Sequence, residues 1–504
     1  MAGPSILDVE VEELGSDGRP RAVFKWDSMT GRLQMSILPS ITMPKTGTSL
    51  LHKCMGPFLP AGYPSTVTPD YTPYQIYDSL QAFASTIAGL LASRAVFVGM
   101  GVGSEDASLV TTMLLYIAQE TIGRVATILF AHQFSQRIEA EVKFYRFFAD
   151  IVNDTAFVLD CLSPAMPTLG RVVTLCVSNA CRAVCGVAGG SSKAILSAHF
   201  AKAGNIGELN AKDGSQETVV SLVGMWVGGF VVSRVHGTAA TWRCLIPLLA
   251  FHLWANWKAV RSVRLSSLNT DRALIFFRGI LDGQLKGLDQ VGEEEIILGW
   301  SNESSGLHGL YPCRFRVGVG LKNLVMTMNN RASHQSQVSG DLVQLFRIFH
   351  EEEYVLWFDI ETREGIILLK DTATGTTQAR SLCHMLRCCI KIQAPTNPPV
   401  DAEDVEQDDR GPRSRRITLA REPGEKLHMV QEIMDATEHQ SNVSNGRQRS
   451  IQLLKDTLYE NREQWSRIRD QAEQAGWDLD LTNLVKGHAT RIRLNAPLQD
   501  KKVK

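Results

Sequence analysis

The chain lacks any uncharged stretch of the length a lone membrane-crossing helix wants, about 20 mostly apolar residues. Its longest uncharged runs are Cys54 to Pro69, which its prolines exclude from a helix, and Thr218 to Ser233. Charge of one sign is not in excess either: 52 Lys and Arg stand against 53 Asp and Glu, for a formal net charge of −1. No global field therefore draws nucleic acid, and no basic patch is interleaved with aromatics, so nucleic acid is not an expected partner. The ten cysteines form no C-x-x-C pair, which leaves neither a disulfide framework nor ordinary zinc-ligand spacing. The opening residues, MAGPSILDVEVEELGSDGRP, are acidic and carry no apolar h-region. Neither a signal peptide nor a transit peptide is expected, and the thiols are expected to be reduced and intracellular. G-x-S-x-G, H-E-x-x-H and any nucleophile–base pair are missing too, so nothing points to an enzyme.

Two glycine-bearing segments imitate phosphate-binding turns and fail on spacing. VFVGMGVGSEDA has Gly99 and Gly101, but Ser104 stands where the third glycine of a dinucleotide fingerprint belongs, and Glu105 and Asp106 would repel a pyrophosphate. GVAGGSSK, from Gly186 to Lys193, has Ser192 where a phosphate loop needs glycine. It reads as a flexible hinge or a close helix contact, with a small-molecule-binding loop as the lesser alternative. Cys176, Cys181 and Cys185 cluster near His199 without metal spacing, and Cys383, Cys388 and Cys389 likewise read as core thiols. His252 and Asn256, one turn apart on an apolar helix, read as a satisfied buried pair. No metal and no cofactor are implied.

What the chain does have begins at Leu59. Pro60, Pro64, Pro69 and Pro73 interleave with Tyr63, Tyr71, Tyr74 and Tyr77, an extended lead-in that gives way from about Tyr74 to a long helix. Further helices are expected from about Ser108 to Gln119, from Arg124 to Ala140 and through KFYRFFADIVNDTAFVLDCL. Pro164 and Pro167 then break the pattern. Helices follow from Leu169 to Val184, from Ala194 to Lys202, from Thr218 to Ser233 and from Thr241 to Arg264. AGNIGELNAKDG is expected to be a loop, with Asp213 and Gln216 as a capping box for the Thr218 helix. TVVSLVGMWVGGFVVS is apolar all round, and Gly224, Gly228 and Gly229 suit close helix approach in lipid. Trp254 and Trp257 sit beside Lys258, Arg261 and Arg264, as an aromatic anchor with a cationic flank would. The competing reading is a soluble helical core whose apolar helices are buried.

LPAGYPSTVTPDY and LQAFASTIAGLLASRAV resemble the opening signature of the root UVB sensitive (RUS) family. GRVATILFAH, ADIVNDTA, CGVAGGSSKAILSAHFA, NAKDGSQETVVSLVG and HLWANWKAVRSVRLSSLN extend the resemblance in order to Asn269. It implies a eukaryotic protein of a family linked in plants to UV-B responses and early development, and it implies no particular reaction.

The rest reads as a second region. A strand is expected within Arg314 to Met328, and Leu342, Leu345, Phe346 and Phe349 keep helical spacing. YVLWFD and GIILLK form a hairpin, and Ala379, Leu382, Cys383, Leu386 and Ile390 share a helix face. The expected organisation is a polar N-terminal tail and lead-in (1–55), holding one short strand around Ala22 to Trp26, then an apolar helical domain (56–290). A small α+β domain (291–394), a disordered charged linker (395–448) and an amphipathic helix with a docking tail (449–504) complete it. The fold class is mainly α: a multi-helix apolar bundle, membrane-associated, followed by a small α+β domain.

A polar site is read from charges in this apolar setting, where they are expensive and mark a pathway or partner site. Asp150, Asn153 and Asp154 share one helix face, one turn after Arg146. Arg94, Lys193, Lys212, Asp213 and Glu217 are their candidate partners. The expectation is a non-enzymatic protein of an intracellular membrane, with a protein partner or self-association allowed and a small-molecule ligand, or transport of one, left open.

Overall fold

The computed structural model describes residues 9–14, 20–27, 32–37, 58–100, 109–202, 204–298, 313–329, 335–393, 425–485 and 490–493. The chain divides into two compact units, Met1–Leu265 and Ser266–Lys504.

The first unit opens with an antiparallel meander: β1 (Val9–Leu14), β2 (Pro20–Asp27) and β3 (Arg32–Ile37). Two of these strands were not expected. In β1 the acidic residues that made the segment read as a polar tail alternate with Val9 and Val11, the strand period.

Among the described residues six α-helices follow: α1 (Tyr71–Gly99), α2 (Leu109–Ala140), α3 (Val142–Leu162), α4 (Thr168–Phe200), α5 (Ile206–Arg234) and α6 (Thr238–Ser262). α1 is the central one and packs on α3, α5 and α6, while α4 packs on α2 and α3. It starts three residues earlier than expected because Pro73 falls in its first turn, where a missing N–H costs nothing. The lead-in is held by aromatic contacts at the end of α4: the rings of Tyr71 and Tyr74 lie 5.5 and 5.1 Å from that of Phe200.

Three expected breaks are absent. α2 runs through Gly123, where a side chain would collide with Asn179 Nδ2 at 2.6 Å, so the glycine serves helix contact. α4 runs through Gly186 to Gly190 without a turn, and Gly189 lies over Ala149 of α3. The phosphate-loop reading of that segment falls with the loop. α5 begins at Ile206, so AGNIGELNAKDG is mostly helix and Asp213 is a buried mid-helix residue rather than a cap. Gly224 and Gly228 of α5 face α1, against Thr86 and against Ile87 and Leu90, the close approach that small residues permit. Gly229 faces open space.

The second unit holds α7 (Thr270–Leu281), α8 (Leu288–Glu294), β4 (Arg314–Val317), α9 (Leu321–Asn329) and α10 (Gln335–Ile348). The hairpin β5 (Tyr354–Asp359) and β6 (Glu364–Lys370) follows, then α11 (Gly375–Gln393), α12 (Glu425–Gln474) and β7 (Arg491–Ile492). β6 pairs antiparallel with β5 and parallel with β4 and β7. The strand expected up to Met328 stops at Val317, because Gly318 turns the chain at φ +72° and α9 takes over. The last part of the expected linker, from Glu425, is helix; its remainder, 395–424, lies outside the described residues. Tyr354 to Phe358 and Ile366 to Leu369 are buried, as in strands covered on both faces, and α7, α11 and α12, with residues of α8, α9 and α10, pack into that core.

Candidate functional site

In the first unit the polar side chains gather where a core would be. α1 presents Tyr74, Asp78 and Gln81 at i, i+4 and i+7, on one face. α3 presents Arg146, Asp150 and Asp154 with the same one-turn spacing, and α6 presents His252 and Asn256. All eight side chains are buried, and His252 and Asn256 are fully so.

Arg146 is the hub. Its Nη2 donates to Asp78 Oδ1 at 2.5 Å and to Gln81 Oε1 at 3.0 Å. Nη1 donates to Asp150 Oδ1 at 3.3 Å, and Nε to the Tyr74 hydroxyl at 3.3 Å. Asn256 Nδ2 donates to Asp150 Oδ2 at 2.5 Å. His252 completes the group: Nδ1 lies 2.8 Å from Asp154 Oδ1, and Nε2 lies 3.8 Å from Asp150 Oδ2 and 3.4 Å from Gln81 Nε2. The Nδ1 contact is close but out of line for a hydrogen bond, so Asp154 Oδ1 and Oδ2, His252 Nδ1 and Asn256 Oδ1 have no hydrogen-bond partner. Two carboxylates thus share one guanidinium, and a third, Asp154, lies against the imidazole, in a place shielded from water. Buried charge of this kind is costly unless it is paired or has a use.

A second group adjoins it. Lys193 Nζ of α4 binds Asp213 at 2.8 Å and Glu217 at 2.7 Å, both on α5, and Gln75 Nε2 donates to Asp213 at 2.5 Å. A third lies on the far side of α3, where Asp160 accepts from Ser178 at 2.6 Å and pairs with Arg182. At the foot of α1, Asp70 accepts from His199 at 2.9 Å and from the Arg264 backbone N–H at 2.7 Å. Burial by itself raises the Asp70 carboxyl, but the His199 and Arg264 contacts outweigh it and hold the group below its ordinary range.

The residues singled out from the sequence fall into three sets. Asp150 and Asp154 are at the centre, and Lys193, Asp213 and Glu217 form the adjoining group. Asn153 points elsewhere, to Ser85 Oγ at 3.3 Å. Arg94 joins neither group, since it donates to the Val232 and Val235 carbonyls at the end of α5, and Lys212 is half-buried beside Asp213. Sequence reading missed Tyr74, Asp78, Gln81 and Asp160, and took His252 and Asn256 for a satisfied pair, whereas each keeps an atom without a hydrogen bond. The one-turn spacing of Tyr74, Asp78 and Gln81 on an apolar helix was the available signal.

Cys176, Cys181 and Cys185 are free thiols, and among the described residues no group of three or more His, Cys, Asp and Glu side chains is placed to hold a metal ion. Among the described residues, four helical stretches are long and apolar enough to cross a membrane: Tyr71–Gly99, Met113–Ala140, Thr168–Phe200 and Ile206–Arg234. At 1.5 Å per residue their 28 to 33 residues reach about 42 to 50 Å, beyond the roughly 30 Å of a bilayer's hydrocarbon.

No solved structure matches the chain. Residues 44–284 match the family model described as "Vitamin B6 photo-protection and homoeostasis domain". RUS family member 1 of Dictyostelium discoideum is 34% identical over 285 residues, which cover 56% of this chain and 52% of that protein. Protein root UVB sensitive 3 of Arabidopsis thaliana is 30% identical over 302 residues, covering 60% of this chain and 68% of that one. The match thus spans about half the length of the Dictyostelium relative, and none of these descriptions states a reaction. With this extent of likeness, the chain belongs to the root UVB sensitive family.

Proposed function

We propose that this chain is a membrane-embedded helical protein that works through the polar centre around Arg146, binding or passing a small polar solute rather than catalysing a reaction. One observation carries the reading: the bundle leaves many large apolar side chains exposed while it buries a group of charges. Met113, Leu114, Tyr116, Ile117, Val125 and Ile128 of α2 are exposed, while Asp78, Arg146, Asp150 and Asp154 are buried. Lipid favours that distribution and water does not. The test is an alkaline carbonate wash of membranes holding the full chain, which is expected to leave it in the pellet. Complete release into the supernatant overturns the reading.

The family description's mention of vitamin B6 supports a small heteroaromatic solute. Arg146 and Lys193 are each already held by two carboxylates, so a phosphate ester would find no spare cation at these two groups. The arrangement therefore favours an unphosphorylated, neutral or cationic vitamer. Pyridoxine is expected to raise the melting temperature of the detergent-solubilised chain more than pyridoxal 5′-phosphate does, and the reverse order would count against this.

A further inference from the structure

The centre holds more negative charge than it can neutralise, and its spare acceptors lie in direct contact with an imidazole. Asp154, only 5% exposed, has two carboxylate oxygens without a hydrogen bond, and His252, fully buried, touches it through Nδ1 at 2.8 Å. The other ring nitrogen faces two competitors. The Gln81 amide is oriented by its Oε1, which accepts from Arg146, so its Nε2 is the group that points at His252 Nε2. A donor there requires a lone pair on Nε2, which places the proton of the neutral ring on Nδ1, towards Asp154. Asp150 Oδ2, 3.8 Å from the same Nε2, offers the opposite partnership, because it accepts only when Nε2 carries hydrogen.

Resting on the membrane-embedded reading above, we propose that this centre also takes up a proton, with His252 Nε2 as the atom that binds it and Asp150 as the carboxylate that steadies it. In the step, a proton arrives from water and forms an N–H bond with the Nε2 lone pair. The Gln81 N–H···Nε2 contact is released, and the new N–H turns towards Asp150 Oδ2. No electron is transferred. The ionisable and charged groups around His252 are Asp150, Asp154 and Arg146 of α3, with Asp78 and Tyr74 of α1 beyond them on Arg146 and Cys185 of α4 behind the two carboxylates. Two carboxylates lie beside the ring, and the one guanidinium near it is shared with Asp78, so the added charge is welcome.

The experiment is nitrogen-15 NMR of the full chain in detergent micelles with labelled histidine. The His252 signals among the 12 histidines are identified by their loss in H252Q. His252 is expected to change from the neutral form with hydrogen on Nδ1 to the doubly protonated form within about pH 5 to 8. Asp150→Asn is expected to lower the protonated fraction at a given pH about tenfold, as loss of an adjacent opposite charge does. Gln81→Leu is expected to raise it about fivefold, the worth of one neutral hydrogen bond to the lone pair. These opposed directions are not what general loosening of the bundle produces. A His252 that keeps one form throughout that range, or that ignores both variants, overturns the proposal. Carbonate extraction reads membrane embedding independently, so the two ideas fail separately.

Discussion

In the second unit Tyr354, Phe358, Phe276, Phe277 and Phe349 are fully buried beneath α7, α10, α11 and α12, and exposed apolar residues are scattered ones such as Leu298 and Val343. In the first unit Val98, Val110, Ile128, Leu169 and Trp226 are all more than two-thirds exposed, while an arginine, three aspartates, a histidine and an asparagine fill the middle. Both units come from one polypeptide of ordinary composition. The contrast teaches that net charge and mean composition do not report which way a bundle faces, whereas the sorting of residues between inside and outside does. Water rewards the arrangement of the second unit, and a bilayer tolerates that of the first when its charges find one another.

The largest break in this comparison is expected at Arg146. Arg146→Met leaves Asp78 and Asp150 without their cation in a buried place, which costs about 3 to 5 kcal/mol. Thermal unfolding of the detergent-solubilised chain is expected to show loss of the bundle, and a change smaller than about 1 kcal/mol would mean the centre is wetter than its burial suggests. The matching change in the second unit is apolar. Leu454→Ala, at a fully buried position, is expected to cost about 2 to 5 kcal/mol by loss of packing, read as faster hydrogen exchange in β5 and β6. One unit is thus sensitive to removal of a charge and the other to removal of methyl groups.

A smaller effect separates the units by pH. His384 of α11 is fully buried between the Tyr354 hydroxyl, at 3.0 Å, and Thr457 Oγ1, at 2.9 Å. Burial, with Arg387 and Arg380 nearby, pushes its ring down to about 3. The folded value lies below the ordinary 6.5, so the unfolded chain takes up a proton that the folded chain refuses. This contribution to stability is complete above pH 6.5 and is lost as pH falls from 6.5 towards about 3, by roughly 1.4 kcal/mol per unit. Exchange of β5 and β6 amides in the full chain is expected to quicken over that window, and His384→Gln to flatten the dependence.

Much of this was legible in the chain, and the failures share a cause. Helix positions and the hairpin YVLWFD/GIILLK follow from periodicity and local chemistry. The breaks expected between Gln119 and Arg124, at Gly186 through Gly190 and over the Asp213 segment were wrong because packing between helices overrides glycine's weak helix propensity. Within the centre, Asp150 and Asp154 could be seen as neighbours because one turn separates them. Asp78 stands 68 residues before its partner Arg146, and Asn256 stands 106 after Asp150, so no local spacing brings those partners together. Arg94 shows the complement: a charge that looked available is used up on carbonyls at a helix end.

The smallest energetic effect sharpens the comparison most. Trp226 is 78% exposed on α5, and Trp226→Ala removes little internal packing, so stability is expected to move by no more than about 0.5 kcal/mol. The information lies in where the lost ring was. The difference in fluorescence between the native chain and this variant isolates Trp226 from the other eight tryptophans of the nine. In vesicles that difference is expected to be blue-shifted, quenched by lipids carrying a spin label on the acyl chain, and indifferent to iodide. Quenching by iodide with none from the labelled lipid would place the outward face of α5 in water, and the second unit would then be the ordinary one of two soluble halves.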